Sequence, residues 1–261
     1  INRISLGLQS PNDEELAMLG RIHNYAQFLE SYEMARKAGF SNINVDLMFA
    51  IPGQSYEGWM KNLRTVAELG PEHISAYSLI IEDGTPFAKR ELELPDEDTE
   101  YCMYEDVAEV LGEYGYQQYE ISNYAKKGRE CRHNEGYWKR RDYLGLGLGA
   151  ASLLGKERFT NTMDMQEYIN NSNFPEKIRK DREMLTRKDE MAEFMFLGLR
   201  MTRGVSKTEF QEYFGTGIEK IYGEILEKYK KQGMLVELED RIFLSRAGIH
   251  VSNVVMADFL L

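Results

Sequence analysis

The residues best equipped for chemistry lie in the heptapeptide RHNEGYW at 132–138. It gathers a histidine, an amide, a tyrosine and a tryptophan in a chain with four histidines and two tryptophans. An imidazole can bind iron through one ring nitrogen, and aromatic rings can lie against the face of a porphyrin, so the ingredients of a haem site are present. A histidine in a polar segment is just as readily a satisfied surface or core side chain, and Trp138 a core anchor. On residue chemistry alone a polar turn ending in an aromatic anchor is the plainer reading. Strand alternation supplies a second group. In NRISLGLQ, Ile4, Leu6 and Leu8 share one face and Arg3, Ser5, Gly7 and Gln9 the other; in NINVDLMFAI, Asn44 and Asp46 lie opposite Ile43, Val45 and Leu47. Gln9 and Asp46 fall toward the C-terminal ends of their strands, where parallel barrels place their chemistry. An aspartate there can accept two hydroxyl hydrogen bonds from a ribose, or pair with an arginine across the barrel.

The elements that must position these side chains follow one plan. Three times in the first hundred residues a strand precedes a helical segment: NRISLGLQ before SPNDEELAML and NYAQFLESYEMARKAG, NINVDLMFAI before SYEGWMKNLRTVAELG, then EHISAYSLII closed by EDGTPF. The helices end at glycines, as left-handed caps require. Three parallel strands leave a raw edge, so the pattern predicts part of a larger β/α barrel. DEDTEYCMYEDVAEVLGEYG reads as a helix with an apolar stripe at Met103, Val107, Val110 and Leu111, and YQQYEISNYA as a further strand or extended segment.

GLGLGA at 145–150 formally fits the GxGxxA variant of a dinucleotide loop, but lacks the strand, helix and acidic residue that such a loop needs. Close backbone packing explains those glycines better. Residues 161–183 are polar and read as a connector. Beyond them come helices and one hairpin, MLVELEDRIFLS, turning at Glu239 and Asp240 in the order of a winged-helix-like module. Residues 203–246 carry eight Lys/Arg against eight Asp/Glu, so no basic face for nucleic acid is evident. The net charge of −11 disfavours phosphate backbones and anionic lipid in the same way. No apolar run is long enough for a membrane span and no signal peptide is visible, which makes the cytoplasm the expected location. Cys102 and Cys131 form neither a disulfide framework nor a metal knuckle.

The succession NRISLGLQS, LGRIH, NINVDLMFAIPGQ, HISAYSLIIEDGTPF, YQQYEISNYA, ECRHNEGYW and YLGLGLGAAS, with the helical module after it, resembles the radical S-adenosylmethionine family of oxygen-independent coproporphyrinogen III oxidases. The likeness is greatest to its HemW-type haem chaperone branch. The resemblance implies an α/β fold, the C-terminal half of a radical S-adenosylmethionine (β/α) barrel followed by a small, mainly helical winged-helix-like domain. The domains expected are 1–160 for the half barrel with the haem-motif extension, 161–183 for the connector and 184–261 for the C-terminal domain. In the family a CxxxCxxC loop holds a [4Fe–4S] cluster whose open iron is chelated by S-adenosylmethionine. This chain has no such loop, its two cysteines cannot supply three thiolates, and the glycine-rich loop beyond it is absent too. The resemblance thus implies the C-terminal portion of such a protein, beginning near the fourth strand. It would carry no catalytic residue of its own and be inactive alone as a radical S-adenosylmethionine oxidoreductase, with cluster and S-adenosylmethionine belonging to the intact protein.

Carried over residue by residue, Gln9, Arg21, Asp46, Ile80 and Ala151 fall on contacts to S-adenosylmethionine, although Arg21 after Gly20 could instead satisfy carbonyls at a helix end. His133, Asn134, Tyr137 and Trp138 fit the HNxxYW signature of the haem chaperones. His133 is the expected axial ligand to haem iron, with Asn134 orienting it and Tyr137 and Trp138 shaping the pocket. The expected function is binding haem and passing it to an acceptor protein. The alternative is oxidative decarboxylation of coproporphyrinogen III in porphyrin biosynthesis. An interaction module whose C-terminal domain docks a haem-requiring partner is a third reading, with membrane contact at most peripheral and through that partner.

Overall fold

Aliphatic residues on one side of successive strands fix how the first part of the chain assembles. The strands β1 (Ile4–Gln9), β2 (Ile43–Phe49) and β3 (His73–Ser78) run parallel, and between β1 and β2 lie helices α1 (Asp13–Met18) and α2 (Tyr25–Lys37). Strand β2 (Ile43–Phe49) is followed by α3 (Tyr56–Glu68) and β3 (His73–Ser78). Then come α4 (Glu97–Glu105), α5 (Val107–Glu113), β4 (Tyr116–Glu120) and β5 (Asn123–Lys126). The computed structural model describes residues 1–85 and 87–261, so Pro86 of the EDGTPF segment lies outside the described residues. The chain divides into two compact units, Ile1–Glu130 and Cys131–Leu261.

In the first unit the sheet order is β1-β2-β3-β5-β4. The segment YQQYEISNYA forms a hairpin rather than one strand, and its second arm pairs antiparallel with β3. The edge of β3 that a purely parallel reading would leave raw is thereby covered. Leu8, Val45, Leu47 and Ile74 meet Trp59, Leu63 and Val66 of α3 and Met103 and Val107 of α4 and α5 in one core. Gly39, Gly70 and Gly115 close α2, α3 and α5 with φ of 92°, 70° and 84°, the left-handed caps expected of them. The helix expected across 96–115 is broken at Asp106, which ends α4 and opens α5. The Tyr56 hydroxyl donates to the Asp106 carboxylate at 2.6 Å, and that bond, more than burial, pushes the phenol up to about 12.

The second unit opens with α6 (Arg132–Trp138), then β6 (Ala151–Leu154), β7 (Glu157–Asn161), α7 (Met165–Asn171), α8 (Pro175–Ile178) and β8 (Arg179–Met184). Strands β6, β7 and β8 form an antiparallel sheet, so residues 161–183 hold two helices and most of a strand. Thr160 and Asp181 side chains bond across β7 and β8, which gives this polar stretch a sheet partner that hydrophobic periodicity does not advertise. Next come α9 (Arg187–Gly198), β9 (Val205–Ser206), α10 (Lys207–Phe214), α11 (Ile218–Lys231), β10 (Leu235–Leu238) and β11 (Arg241–Leu244). Helices α12 (Arg246–His250) and α13 (Ser252–Ala257) end the unit. The sheet order β10-β11-β9 and the turn at Glu239, with φ of 51°, give the helix, strand, helix, helix, hairpin order expected of a winged-helix-like module. Phe194, Phe210, Phe214, Tyr222 and Phe259 form a chain of edge-on and tilted ring contacts inside it. No described helix is long and apolar enough to cross a membrane.

Leu63 is fully buried between α3 and the sheet. Leu63→Ala should lower the unfolding free energy of the first unit by about 2–5 kcal/mol through lost transfer energy and a residual cavity, seen as a lower urea midpoint with unchanged m.

Candidate functional site

Parallel register brings the polar strand positions into rows. Ser5 pairs with Asn44 and Asn44 with His73, while Gly7 pairs with Asp46 and Asp46 with Ser75, on the face opposite the core. Asn44 is the hub. Its Nδ2 donates at 2.7 Å both to Asp46 Oδ1 and to Ser5 Oγ, and Ser5 Oγ in turn donates to Asp46 Oδ2 at 3.0 Å. An ionised carboxylate only accepts, so Asp46 fixes which end of the Asn44 amide faces it. Asn44 Oδ1 is then the acceptor for Ser75 Oγ at 3.2 Å and His73 Nδ1 at 2.6 Å. The proton of His73 must sit on Nδ1, leaving Nε2 to accept from Tyr119 Oη at 2.8 Å. Burial, aided by the charge of Arg3, pushes His73 down to about 3, so it stays neutral while serving this network.

Gln9 departs from simple alternation. Its φ is 72° and the β1–β2 register slips between Gly7 and Gln9, a bulge that turns the side chain over the strand. Gln9 Oε1 accepts from Tyr77 Oη at 3.3 Å. A Cβ on Gly7 would stand 3.0 Å from Gln9 Nε2 and 3.5 Å from Arg21 Nη2, so the amide and the guanidinium lie directly over Gly7. The helix-capping alternative for Arg21 is answered by its backbone. Gly20 N–H donates to Ala17 O and Arg21 N–H to Leu16 O, which satisfies the end of α1 without the side chain. Glu15 secures that turn by accepting from Ser10 Oγ, Gln54 Nε2 and Asn62 Nδ2 at 2.5, 3.0 and 2.8 Å.

Gln9, Arg21, Met48, Tyr77 and Ile80 line one cavity of about 390 Å³. Asp46 lies two residues before Met48 on the same strand face. Burial raises the Tyr77 phenol, the Asp46 charge raises it further, and Gln9 and Arg21 oppose the rise. Asp46 has accepted two hydrogen bonds of the roughly four a carboxylate can take, and no described arginine pairs with it. Ala151, fifth of the residues assigned to S-adenosylmethionine, begins β6 in the second unit and is exposed. Tyr77 was not singled out from sequence, though its place two residues after Ser75 on one strand face was a usable signal.

RHNEGYW is a helix, not a turn. Helical spacing therefore sorts its four fixed residues into two i, i+4 pairs. His133 and Tyr137 stack edge to face with centroids 4.6 Å apart, and Tyr137 meets Tyr143 in the same manner at 4.6 Å. The His133 side chain is exposed and hydrogen-bonds to no described residue. Asn134, at the adjacent helical position, makes no hydrogen bond to it; the ring beside His133 is Tyr137. Trp138 packs under the Arg200 guanidinium, 4.4 Å from the ring centroid, and its Nε1 is buried with no hydrogen-bond partner among the described residues.

GLGLGA packs closely and forms no βαβ turn. Asn161 Nδ2 donates to the carbonyls of Gly145 and Gly147 at 3.1 and 2.9 Å, and a Cβ on Gly145 would stand 2.2 Å from Ala151 O. Only glycine allows that approach.

Family models match in two places, the Radical SAM superfamily at residues 1–66 and the HemN C-terminal domain at residues 185–251. The solved structure of Escherichia coli coproporphyrinogen III oxidase (HemN), described as a radical SAM enzyme, matches the whole chain with a TM-score of 0.82 at 20% identity, the chain covering 64% of it. The fold is thus that of a radical SAM protein with mixed parallel sheet and helices. Sequence likeness is narrower. The heme chaperone HemW of Lactococcus lactis subsp. lactis (strain IL1403) is 38% identical over the full chain, which spans 69% of that protein. For the HemW proteins of Bacillus subtilis (strain 168) and Escherichia coli (strain K12) the identities are 37% and 34%, and the spans 70% and 68%. The chain belongs to the HemW family of haem chaperones. Radical SAM membership implies S-adenosylmethionine and a [4Fe–4S] cluster. For the first, the Gln9, Arg21 and Tyr77 cavity beside Asp46 offers suitable donors and acceptors. For the cluster the residues present do not fit: Cys102 and Cys131, the two cysteines, form no disulfide and cannot supply three thiolates, and no group of three metal-binding side chains occurs among the described residues.

Because folded His73 refuses a proton until about pH 3, while the unfolded chain takes one up near the ordinary histidine value of 6.5, the unfolded state binds more protons throughout that window. Stability should therefore fall as pH is lowered from about 6.5 toward 3, by up to about 1.4 kcal/mol per pH unit from this group. His73→Gln should flatten that slope in urea titrations at successive pH values; an unchanged slope would mean that His73 titrates normally.

Proposed function

We propose that the chain holds haem on α6 for delivery to an acceptor protein and contacts S-adenosylmethionine through the polar face of its parallel strands. The observation that carries the haem half is His133: an exposed imidazole with no hydrogen bond to any described residue, flanked by Tyr137, on a surface helix. Neutral imidazole binds iron through either nitrogen, and Tyr137 limits how the ring can turn. A ligand on an open helix suits cargo that must leave again. Trp138 holds the helix to the unit beneath Arg200, and Asn134 shares its side of the helix, so these two shape the support of the site. The docking of an acceptor on residues 184–261 belongs to the same proposal.

In the nucleotide half, Arg21 supplies a guanidinium that lines the cavity and suits a carboxylate, Asp46 the remaining acceptor capacity for ribose hydroxyls, and Gln9 an amide oriented by Tyr77. Ile80 contributes shape or backbone. S-adenosylmethionine brings a sulfonium-linked adenosyl group to this face. Asn44, Ser5 and His73 hold Asp46 in place. No step is assigned through the iron–sulfur cluster, which this chain's cysteines do not fit. The oxidase alternative rests on the shared fold alone, whereas the haem-carrier reading has the family and the free imidazole behind it.

Titration with ferric haem should give a Soret band that His133→Ala shifts, with at least tenfold weaker binding. Equal affinity and an unchanged spectrum would remove His133 as the ligand. For the nucleotide half, Asp46→Asn should weaken S-adenosylmethionine about tenfold in calorimetry, consistent with loss of a charge-assisted bond. Unaltered binding would remove the ribose role.

A further inference from the structure

Just past α6 the chain reverses through Arg140, a non-glycine residue with φ of 53°, and beside this reversal lies a pocket of about 230 Å³. Five cationic residues line it, Lys139, Arg140, Arg141, Arg203 and Arg241, against one acidic residue, Glu209, and Phe194 and Phe214 contribute apolar lining. Three of the five have partners. Lys139 meets Glu135 at 3.1 Å, Arg140 meets Glu193 and Glu190 at 2.7 and 3.3 Å, and Arg241 approaches Glu209 at 3.9 Å. Arg141 and Arg203 are exposed and pair with no described residue, in a chain whose net charge of −11 leaves no shortage of carboxylates. Both are carried on fixed backbone. Arg141 N–H donates to Gly136 O, and Gly204, with φ of 61°, is clamped so tightly that a Cβ there would stand 1.9 Å from Ile242 O.

Guanidinium groups are the side chains best shaped to receive a carboxylate, and the apolar lining suits an acid carried on an apolar body. At about 230 Å³ the pocket falls below the roughly 300–1,000 Å³ of sites that enclose a whole ligand, so it fits an acidic arm and leaves the body outside. Trp138, a fixed residue of the HNxxYW signature, lines this pocket and also an apolar cavity of about 370 Å³ with Phe196, Leu197 and Met256. The helix that presents His133 thus ends in a wall shared by a cationic and an apolar recess. We propose that the cationic pocket receives a propionate of the tetrapyrrole, with Arg141 and Arg203 making the ionic contacts. This rests on the haem-carrier reading but not on the bond from His133 to iron.

Metal-free protoporphyrin IX and its dimethyl ester separate the two claims, since neither offers iron to His133 and the ester offers no carboxylate. Fluorescence anisotropy of the porphyrin should show the diacid binding the wild type at least tenfold more tightly than it binds Arg141→Ala/Arg203→Ala. The ester should bind both proteins alike. Equal diacid affinity in the wild type and the double variant would overturn the proposal. So would an equal loss for the ester, which would make the arginines structural, or failure of the diacid to bind the wild type. Displacement of the diacid by a peptide with a free aromatic C-terminus at lower concentration than by haem would overturn it in favour of a protein ligand. Failure of the iron-ligation reading appears separately, in the Soret spectrum of ferric haem with His133→Ala.

Discussion

The amide of Asn44 is the interaction on which the first unit's polar face depends. Buried at the centre of the parallel strands, it uses both hydrogens on Asp46 and Ser5 and its oxygen on His73 and Ser75. A buried amide left with one bond unmade costs about 1–3 kcal/mol, so each partner is held as firmly as it holds. The ordering runs one way. The charge of Asp46 sets the amide, the amide sets the His73 tautomer, and the imidazole sets the direction of the Tyr119 hydroxyl. Depressing the imidazole's proton affinity is what keeps this chain of assignments intact in mildly acidic solution, because a second ring proton would turn Nε2 from acceptor to donor.

The same sheet shows why a strand end can serve recognition better than its middle. Gln9 adopts a left-handed backbone that L side chains rarely take, and such strain persists only where surroundings enforce it. Here the enforcement comes from both sides. Ser10, the next residue, is bound into the Glu15 cluster, and Tyr77 holds the Gln9 amide oxygen. Gly7 completes the arrangement by having no side chain where Gln9 and Arg21 converge. Three residues from two strands and a helix end thereby face one cavity without any of them being used to seal it.

Much of this was legible from residue order. Alternation in β1 and β2 separated Ile4, Val45 and Leu47 from Ser5, Asn44 and Asp46, because burying one sheet face demands it. Glycines at 39, 70 and 115 marked helix ends through backbone conformation alone. What alternation cannot report is a bulge, and so the register slip at Gln9 stayed hidden. The hairpin of β4 and β5 reads in sequence as one strand or extended segment because Ile121 and Ser122 carry none of the glycine or proline punctuation of a tight turn; Glu120 supplies the turn bonds instead, accepting from Ser122 N–H and Asn123 Nδ2. Residues 161–183 were opaque for a related reason, since their strand is held by polar cross-strand pairs on an exposed face.

The seven residues of RHNEGYW were opaque in a different sense. Gly136 and the β-branchless polar residues around it gave no helical stripe long enough to detect. Once the segment is helical, the four signature positions can no longer act as one cluster, for adjacent helical positions face apart. His133 is left exposed beside the half-buried Tyr137, while Trp138 packs under Arg200. A signature spaced as two i, i+4 pairs therefore specifies a presented ligand and its foundation at once. That division explains why Trp138 can be both a packing anchor and part of a ligand site, two roles that its residue type alone had set in opposition.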